Sequence, residues 1–258
     1  MTIIPRVIPT LLLDDEAFVK TMGYREPRYV GDPVNVINLF NRFEVDEIVL
    51  LDIGATTRQR EPAFDLIGQL AAECWVPLAY GGGITTYGQA RRILSLGVEK
   101  VVLGTAVDRH PGLLGEIAGT YGRQAVVASV DVRRDGSRFD VFVEHATRRV
   151  SRDAAAYAMR AVDLGAGEIL LNSIDRDGAM SGYDLELIRA VTAAVSVPVV
   201  ACGGAGERAH LPIPILAAGA AAVGAGSLFV FQGRARGVVV NFPQRSELEV
   251  LFGMRPTA

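Results

Sequence analysis

Short apolar, β-branched runs alternate along this chain with segments whose apolar positions recur every three or four residues. The runs at 6–12, 47–52, 76–80, 99–103, 125–130, 168–172, 197–201 and 221–226 predict strands. Between them, helices are predicted near 33–43, 61–73, 86–96, 111–121, 151–164, 184–195 and 207–218, many opened by Pro, Ser, Thr or Asp. Near-continuous apolar strands separated by helices point to a parallel sheet covered by helices. Eight such units predict a (β/α)8 barrel. The first strand, in "RVIPTLLLDDEAF", is expected to run out into an acidic, helix-starting turn. A last helix is the hardest to place, because "GRARGVVVNFPQRSELEVLFG" has no clean helical period before Ser246. Residues 211–231 carry no charge and are long enough to raise the question of a membrane span. Pro212, Pro214 and Gly219 break them instead into a short buried helix, its first turn shortened by proline, and a buried strand.

The pattern is written twice. "VDEIVLLDI" (45–53) matches "AGEILLNSI" (166–174) and "VPLAYGGG" (76–83) matches "VPVVACGG" (197–204), both at an offset of 121 residues. "GVEKVVLGTA" (97–106) echoes "GAAAVGAGSL" (219–228) at 122. One barrel domain over 1–258, built from half-barrels of about 1–122 and 123–245, is the simple account. Strand 1 then corresponds to strand 5, and Leu12 becomes the symmetry mate of Asp131.

Composition narrows the class. Half of the 258 residues are apolar, enough for a large core, and a net charge of −3 gives no general attraction to nucleic acid or anionic lipid. Two cysteines, Cys74 and Cys202, and three scattered histidines form no metal-type spacing, so no metal is expected. The N-terminal residues have no basic region followed by an apolar block and a cleavage site, so a reducing, cytoplasmic setting is expected.

In this fold chemistry sits where strands end. Glycine runs follow strands 3 and 4 ("GGGI", 81–84; "GTA", 104–106) and again strands 7 and 8 ("GGAG", 203–206; "GS", 226–227). Tight turns alone would explain a lone run. Two pairs in the same relative places suggest two phosphate cradles, formed by backbone N–H groups with Thr105 and Ser227, for a ligand phosphorylated at both ends. At the other end of the strands stand Arg6, Glu47, Lys100 and Glu168, two cations and two anions, for which a ring of alternating salt bridges is the natural arrangement.

The motifs "GDPV" (31–34), "DEIVLLDI", "GGGI", "GAGEILLNSIDRDGAMSGYDLELI" (165–188) and "ACGGAG" (201–206) resemble, over nearly the whole chain, the cyclase subunit family of imidazole glycerol phosphate synthase. That family takes ammonia from a glutaminase partner through the barrel and adds it to a bis-phosphorylated aminoimidazole nucleotide, with no cofactor. The resemblance implies Asp131 as one of two catalytic aspartates, but where the other belongs stands Leu12. Leucine cannot move a proton, and general acid–base help is typically worth about 10²–10⁴-fold. Asp14 would share the face of Leu12 but stand about 6–7 Å further along. The resemblance further implies ligand contacts from Lys20, Asp52, Gly82, Gly83, Gly104, Thr105, Asn172, Asp177, Gly203, Gly204, Gly226 and Ser227, with Gly104 replacing the family's asparagine. It implies an ammonia gate at Arg6, Glu47, Lys100 and Glu168, and partner docking at Glu99. Asp175 matches a family position too, though loop capping would explain it equally.

Within the family, "LLL" (11–13), "NSIDRDG" (172–178), "MSGYD" (180–184) and the tail 228–249 are most similar to a branch that supplies ammonia for acetamidino groups on surface-polysaccharide sugars. A glutaminase would make the ammonia, this barrel would pass it on, and a third protein would activate the sugar. The alternatives are a working cyclase of histidine biosynthesis, and a phosphosugar-binding barrel enzyme with no ammonia partner.

Overall fold

Eight parallel strands close on themselves in a computed structural model that describes residues 4–233 and 235–253. They are β1 (Arg6–Asp14), β2 (Ile48–Asp52), β3 (Leu78–Gly81), β4 (Lys100–Leu103), β5 (Val126–Asp135), β6 (Glu168–Ser173), β7 (Val199–Cys202) and β8 (Ala222–Ala225). Each pairs with the next, and β8 returns to β1 through Arg6↔Ala222 and Val7↔Val223. Outside lie α1 (Pro33–Arg42), α2 (Phe64–Glu73), α3 (Tyr87–Ser95), α4 (Gly112–Tyr121), α5 (Ala154–Asp163), α6 (Leu185–Thr192), α7 (Ile213–Ala218) and α8 (Arg245–Leu251). The architecture is the expected (β/α)8 barrel.

Local chemistry explains the helix starts. Asp32 caps α1 ahead of Pro33, Asp153 and Asp184 cap α5 and α6, and Thr86 with Gln89 closes a reciprocal capping box on α3. Strand residues alternate between two cores. Val7, Leu11, Leu13, Ile48 and Leu50 point outward under the helices, while Ile8, Val49, Ala79, Val102, Val127, Leu170, Val200 and Ala222 fill the barrel interior. Burial on both faces is why these strands read as unbroken apolar runs.

Three expectations need correction. The acidic stretch after β1 starts no helix: Asp15 takes a left-handed φ of 54° and reverses the chain into a hairpin, Asp14 pairing with Ala17. That hairpin continues through strands Ala17–Met22 and Arg25–Gly31. β5 does not end near Asp131 but runs on to Asp135, turns at Gly136–Ser137, and pairs antiparallel with Arg138–Val143. The segment 207–218 is not one helix. Arg208–His210 forms a 3-10 turn, and α7 begins only at Ile213, between Pro212 and Pro214.

The uncharged stretch 211–231 divides at a left-handed Gly219 cap (φ 74°) into α7 and the buried strand β8, then a single-turn helix at Ser227–Val230; α7 is not the buried helix expected, since Leu216 is 70% exposed. Among the described residues no helix is long and apolar enough to cross a membrane. The tail forms a two-stranded ribbon, Phe231–Gln232 with Gly237–Val238, before α8, whose start is closed by a Gln244–Glu247 capping box.

Candidate functional site

A cavity of about 730 Å³ opens at the C-terminal end of the barrel. Gly81–Gly83 and Gly104–Thr105 line one side, Gly203–Gly204 and Gly226–Ser227 the other, with Lys20, Asp52, Asp131, Asn172 and Asp177 between them. The glycines are required by shape. At Gly82 (φ 129°) a Cβ would fall 2.5 Å from the Asp52 carbonyl oxygen, and at Gly203 (φ 84°) 2.6 Å from that of Ser173. Gly104 is different: a Cβ there would make ordinary contact, 3.6 Å from the Cβ of Ser129, so a side chain would fit. The Thr105 hydroxyl accepts from the Glu144 N–H at 3.1 Å, and Thr105 and Ser227 each open a short helix that faces the cavity.

Lys20 is brought in by the first hairpin. Its ammonium lies directly against Gly226, donates to the Thr10 carbonyl at 2.5 Å, and is 7% exposed. Burial pulls its pKa down to about 8, opposed by the Asp177 charge. Asp177 is held in turn by the Thr21 hydroxyl at 3.1 Å, and burial raises its carboxyl against the pull of Lys20. Asp52 accepts from the N–H groups of Gly54 (3.0 Å) and Ala55 (2.9 Å), so it caps its own loop as well as lining the cavity. Asp175 is turned away from the cavity and accepts from the Arg134 N–H at 2.8 Å. Among the described residues no group of three or more His, Cys, Asp or Glu is placed to hold a metal.

Asp131 and Leu12 both face this space. Asp131 stands in register with Asn172 on the neighbouring strand β6 and accepts from the Ser129 hydroxyl at 3.1 Å. Burial pushes its carboxyl up to about 6, opposed by hydrogen bonds from Tyr24 and Ser129. Leu12 sits beside Leu51 and Val19 and offers no polar atom. Asp14 supplies no substitute: it is ion-paired with Arg58 and is not among the residues lining the cavity.

Tyr24 was not singled out from the sequence. It stands in the turn between strands Ala17–Met22 and Arg25–Gly31 with φ 65°, and its hydroxyl accepts from Asn172 Nδ2 at 2.7 Å and donates to Asp131. Its ring stacks on His145, 5.3 Å between centroids, and its carbonyl meets His145 Nε2 at 2.8 Å. The only signal was the "MGY" turn beside Lys20, which carries no periodicity of its own. Burial raises the phenol well above its ordinary range, so Tyr24 stays neutral, a hydrogen-bond donor to Asp131 and not a base.

At the opposite end four charges close a ring. Arg6 donates to Glu47 and Glu168, both at 2.5 Å, and Lys100 to the same two carboxylates at 2.8 and 2.9 Å. Two residues along each strand stand Ile8, Val49, Val102 and Leu170, an apolar layer whose last two members also line the cavity. That layer and the next step of the strands span about 6–7 Å each. Glu99, beside Lys100, is exposed on the same lower face.

The sequence profile of the family described as histidine biosynthesis protein matches residues 6–235. A Streptomyces avermitilis protein named imidazole glycerol phosphate synthase subunit HisF is 44% identical over 90% of this chain and 92% of its own length. The chain belongs to the HisF-like cyclase family. A Pseudomonas aeruginosa relative with the provisional name imidazole glycerol phosphate synthase subunit hisF2 is 47% identical, over 95% of this chain and 98% of its own. A Vibrio vulnificus relative provisionally named as subunit hisF3 is 46% identical, over 94% of both. In this HisF-like barrel Leu12 and Asp131 line the same cavity.

Proposed function

We propose that this HisF-like chain is the ammonia-passing subunit of a glutamine amidotransferase complex, supplying ammonia to amidinate a surface-polysaccharide sugar. The observation that carries the reading is the pairing of Leu12 with Asp131 above an otherwise complete set of parts. The glycine cradles, Lys20, the apolar layer and the charge ring are all present, while the second proton-moving group is a hydrocarbon. In this reading a glutaminase hydrolyses glutamine at the lower face, near Glu99. The neutral ring admits ammonia, and the apolar layer passes NH₃ while opposing ammonium, whose transfer into an apolar medium without a partner is very unfavourable. The paralogue numbers on two relatives, hisF2 and hisF3, fit a branch that stands beside the histidine pathway.

A working cyclase is the second reading, favoured by the hydrogen-bonded Tyr24–Asp131 pair, which would put two proton-carrying groups on one side of the cavity. The two are separated by incubating the purified chain with the bis-phosphorylated aminoimidazole nucleotide and excess ammonium at mildly alkaline pH, and following imidazole glycerol phosphate. Native protein should give no turnover, and Leu12→Asp should gain it by about 10²-fold or more over background. Turnover by the native chain that Asp131→Asn abolishes would sink the first reading and establish the second.

A further inference from the structure

The two glycine cradles are alike in sequence and unlike in what lies beyond them. From Gly82–Gly83 and Gly104–Thr105 the cavity continues outward past Arg60, Thr85, Thr86, Gln89, Arg109 and His110, between the loops that follow β2, β3 and β4. On the opposite side it stops at Gly203–Ala205 and Gly226–Ser227. The 121-residue offset pairs Thr85 with Gly206 and Gln89 with His210, and the 122-residue offset pairs Arg109 with Phe231. None of these three mates lines the cavity.

Packing explains the difference. The loop after β6 lies down on the second cradle: the Gly182 N–H donates to the Gly204 carbonyl at 2.8 Å, and a Cβ at Gly206 would collide with the Met180 carbonyl. Phe231 is covered by the Arg28 guanidinium, 5.1 Å from its ring centroid. At the first cradle Gln89 braces the walls of the extension instead. Its Oε1 accepts from the N–H groups of Thr85 (2.8 Å) and Thr86 (3.1 Å), and its Nε2 donates to Glu61 at 3.1 Å. The two arginines there have donors to spare. Arg60 meets Asp15 at 2.8 Å, an exposed pair that water weakens, and its charge is felt at Asp52 inside the cavity. Arg109 engages Glu144 through Nε (3.0 Å) and Nη2 (2.6 Å), which leaves Nη1. Guanidinium groups bind phosphate through such paired N–H donors.

A phosphate in a closed cradle ends its ligand, whereas one in an open-ended cradle can carry a second substituent. The repeated glycine runs suggest a ligand phosphorylated at both ends, and the asymmetry of the cavity argues otherwise for the first cradle. We propose that the Gly82–Thr105 cradle takes an internal phosphate, and that Arg60 and Arg109 beyond it hold the second phosphate of a diphosphate ester. In the ammonia-passing reading, on which this last step rests, the sugar to be amidinated hangs from the inner phosphate and projects toward Asp131, above the apolar layer.

The test is isothermal titration of the whole chain, without glutaminase or ammonia, against four probes: UDP-N-acetylglucosamine, UDP, N-acetylglucosamine 1-phosphate and fructose 1,6-bisphosphate. Both diphosphates should bind at least about 10-fold more tightly than the sugar monophosphate. Arg60→Met and Arg109→Met should each weaken the diphosphates about 10-fold and leave the monophosphate unchanged. Both side chains are about half exposed, 44% and 55%, so the variants should keep the native melting temperature. UDP-N-acetylglucosamine binding more tightly than UDP supports a sugar held inside the cavity, and equal affinities support the diphosphate site with a free nucleotide as its source. Equal affinity for monophosphate and diphosphate, fructose 1,6-bisphosphate as the tightest probe with both variants at native affinity, or no binding of any probe at 5 mM, overturns the proposal. Each of these leaves ammonia passage standing, because no ammonia enters the measurement.

Discussion

Replacing Lys100 with methionine deletes one of the two cations of the ring and keeps most of the side-chain volume. The ammonium donates to Glu47 at 2.8 Å and Glu168 at 2.9 Å, and those side chains are only 4% and 8% exposed. The variant therefore holds two buried carboxylates on the single guanidinium of Arg6. Each lost charge-assisted bond contributes about 1.5–3 kcal/mol, and removing one partner of a buried ion pair typically costs about 3–5 kcal/mol. The Lys100 side chain is itself 19% exposed, so water can reach the vacated corner, which places the loss near the lower end, about 3 kcal/mol. At about 2–4 °C per kcal/mol for a chain of this size, the melting temperature should fall by roughly 6–12 °C. The assay is thermal and urea unfolding at pH 7.5, by circular dichroism, for Lys100→Met, Glu47→Gln and the double variant. Restoring neutrality in the double variant should recover about 1–3 kcal/mol of coupling. A Lys100→Met protein melting within 2 °C of the native one, or losses that simply add, would refute the closed ring as a desolvated unit.

Asp131→Asn should stabilise the protein above neutral pH. The Asp131 carboxyl titrates near 6 in the folded chain, raised by burial from its ordinary 3.8. A raised folded pKa means that the stability this group contributes is fully present below about pH 3.8 and is lost as pH rises through 6. The asparagine variant should thus gain roughly 2–3 kcal/mol at pH 8, and this gain should vanish near pH 4, as read from urea midpoints at the two pH values. A gain of equal size at both would sink the assignment. Gly82→Ala forces φ 129° on an L-residue and drives its Cβ to 2.5 Å from the Asp52 carbonyl oxygen. It should destabilise by more than about 1 kcal/mol while Gly112→Ala, with nothing within 4 Å of its Cβ, leaves stability within about 0.5 kcal/mol or better.

Much of the barrel could be read along the chain because its strands are buried on both faces. That burial removes the polar alternation and leaves unbroken apolar runs at 48–51, 126–128, 169–171 and 199–202. The charge ring was legible for a related reason: Glu47, Lys100 and Glu168 each sit two residues before an inward apolar side chain, so the strand period alone puts them on one face and one level. The two hairpins were not legible. Asp14, Asp15 and Glu16 look like a capped helix start, and only the left-handed φ at Asp15 and pairing with Ala17 turn them into a reversal. Residues 25–29 are all exposed, with Arg25, Glu26 and Arg28 charged, so no burial pattern marks them as a strand.

The same division runs through the cavity. Side-chain types and the strand ends at which they stand, Leu12 facing Asp131 among them, are properties of the sequence, because covalent order and a period of two determine face and height in a barrel. That Asp14 is drawn off by Arg58, that Lys20 comes to rest on Gly226, and that Tyr24 reaches both Asn172 and Asp131 are decided only by closure. These contacts join positions 44, 206, 148 and 107 residues apart. No local preference encodes such meetings; they arise when the ring of strands shuts and the two hairpins fold over the same mouth.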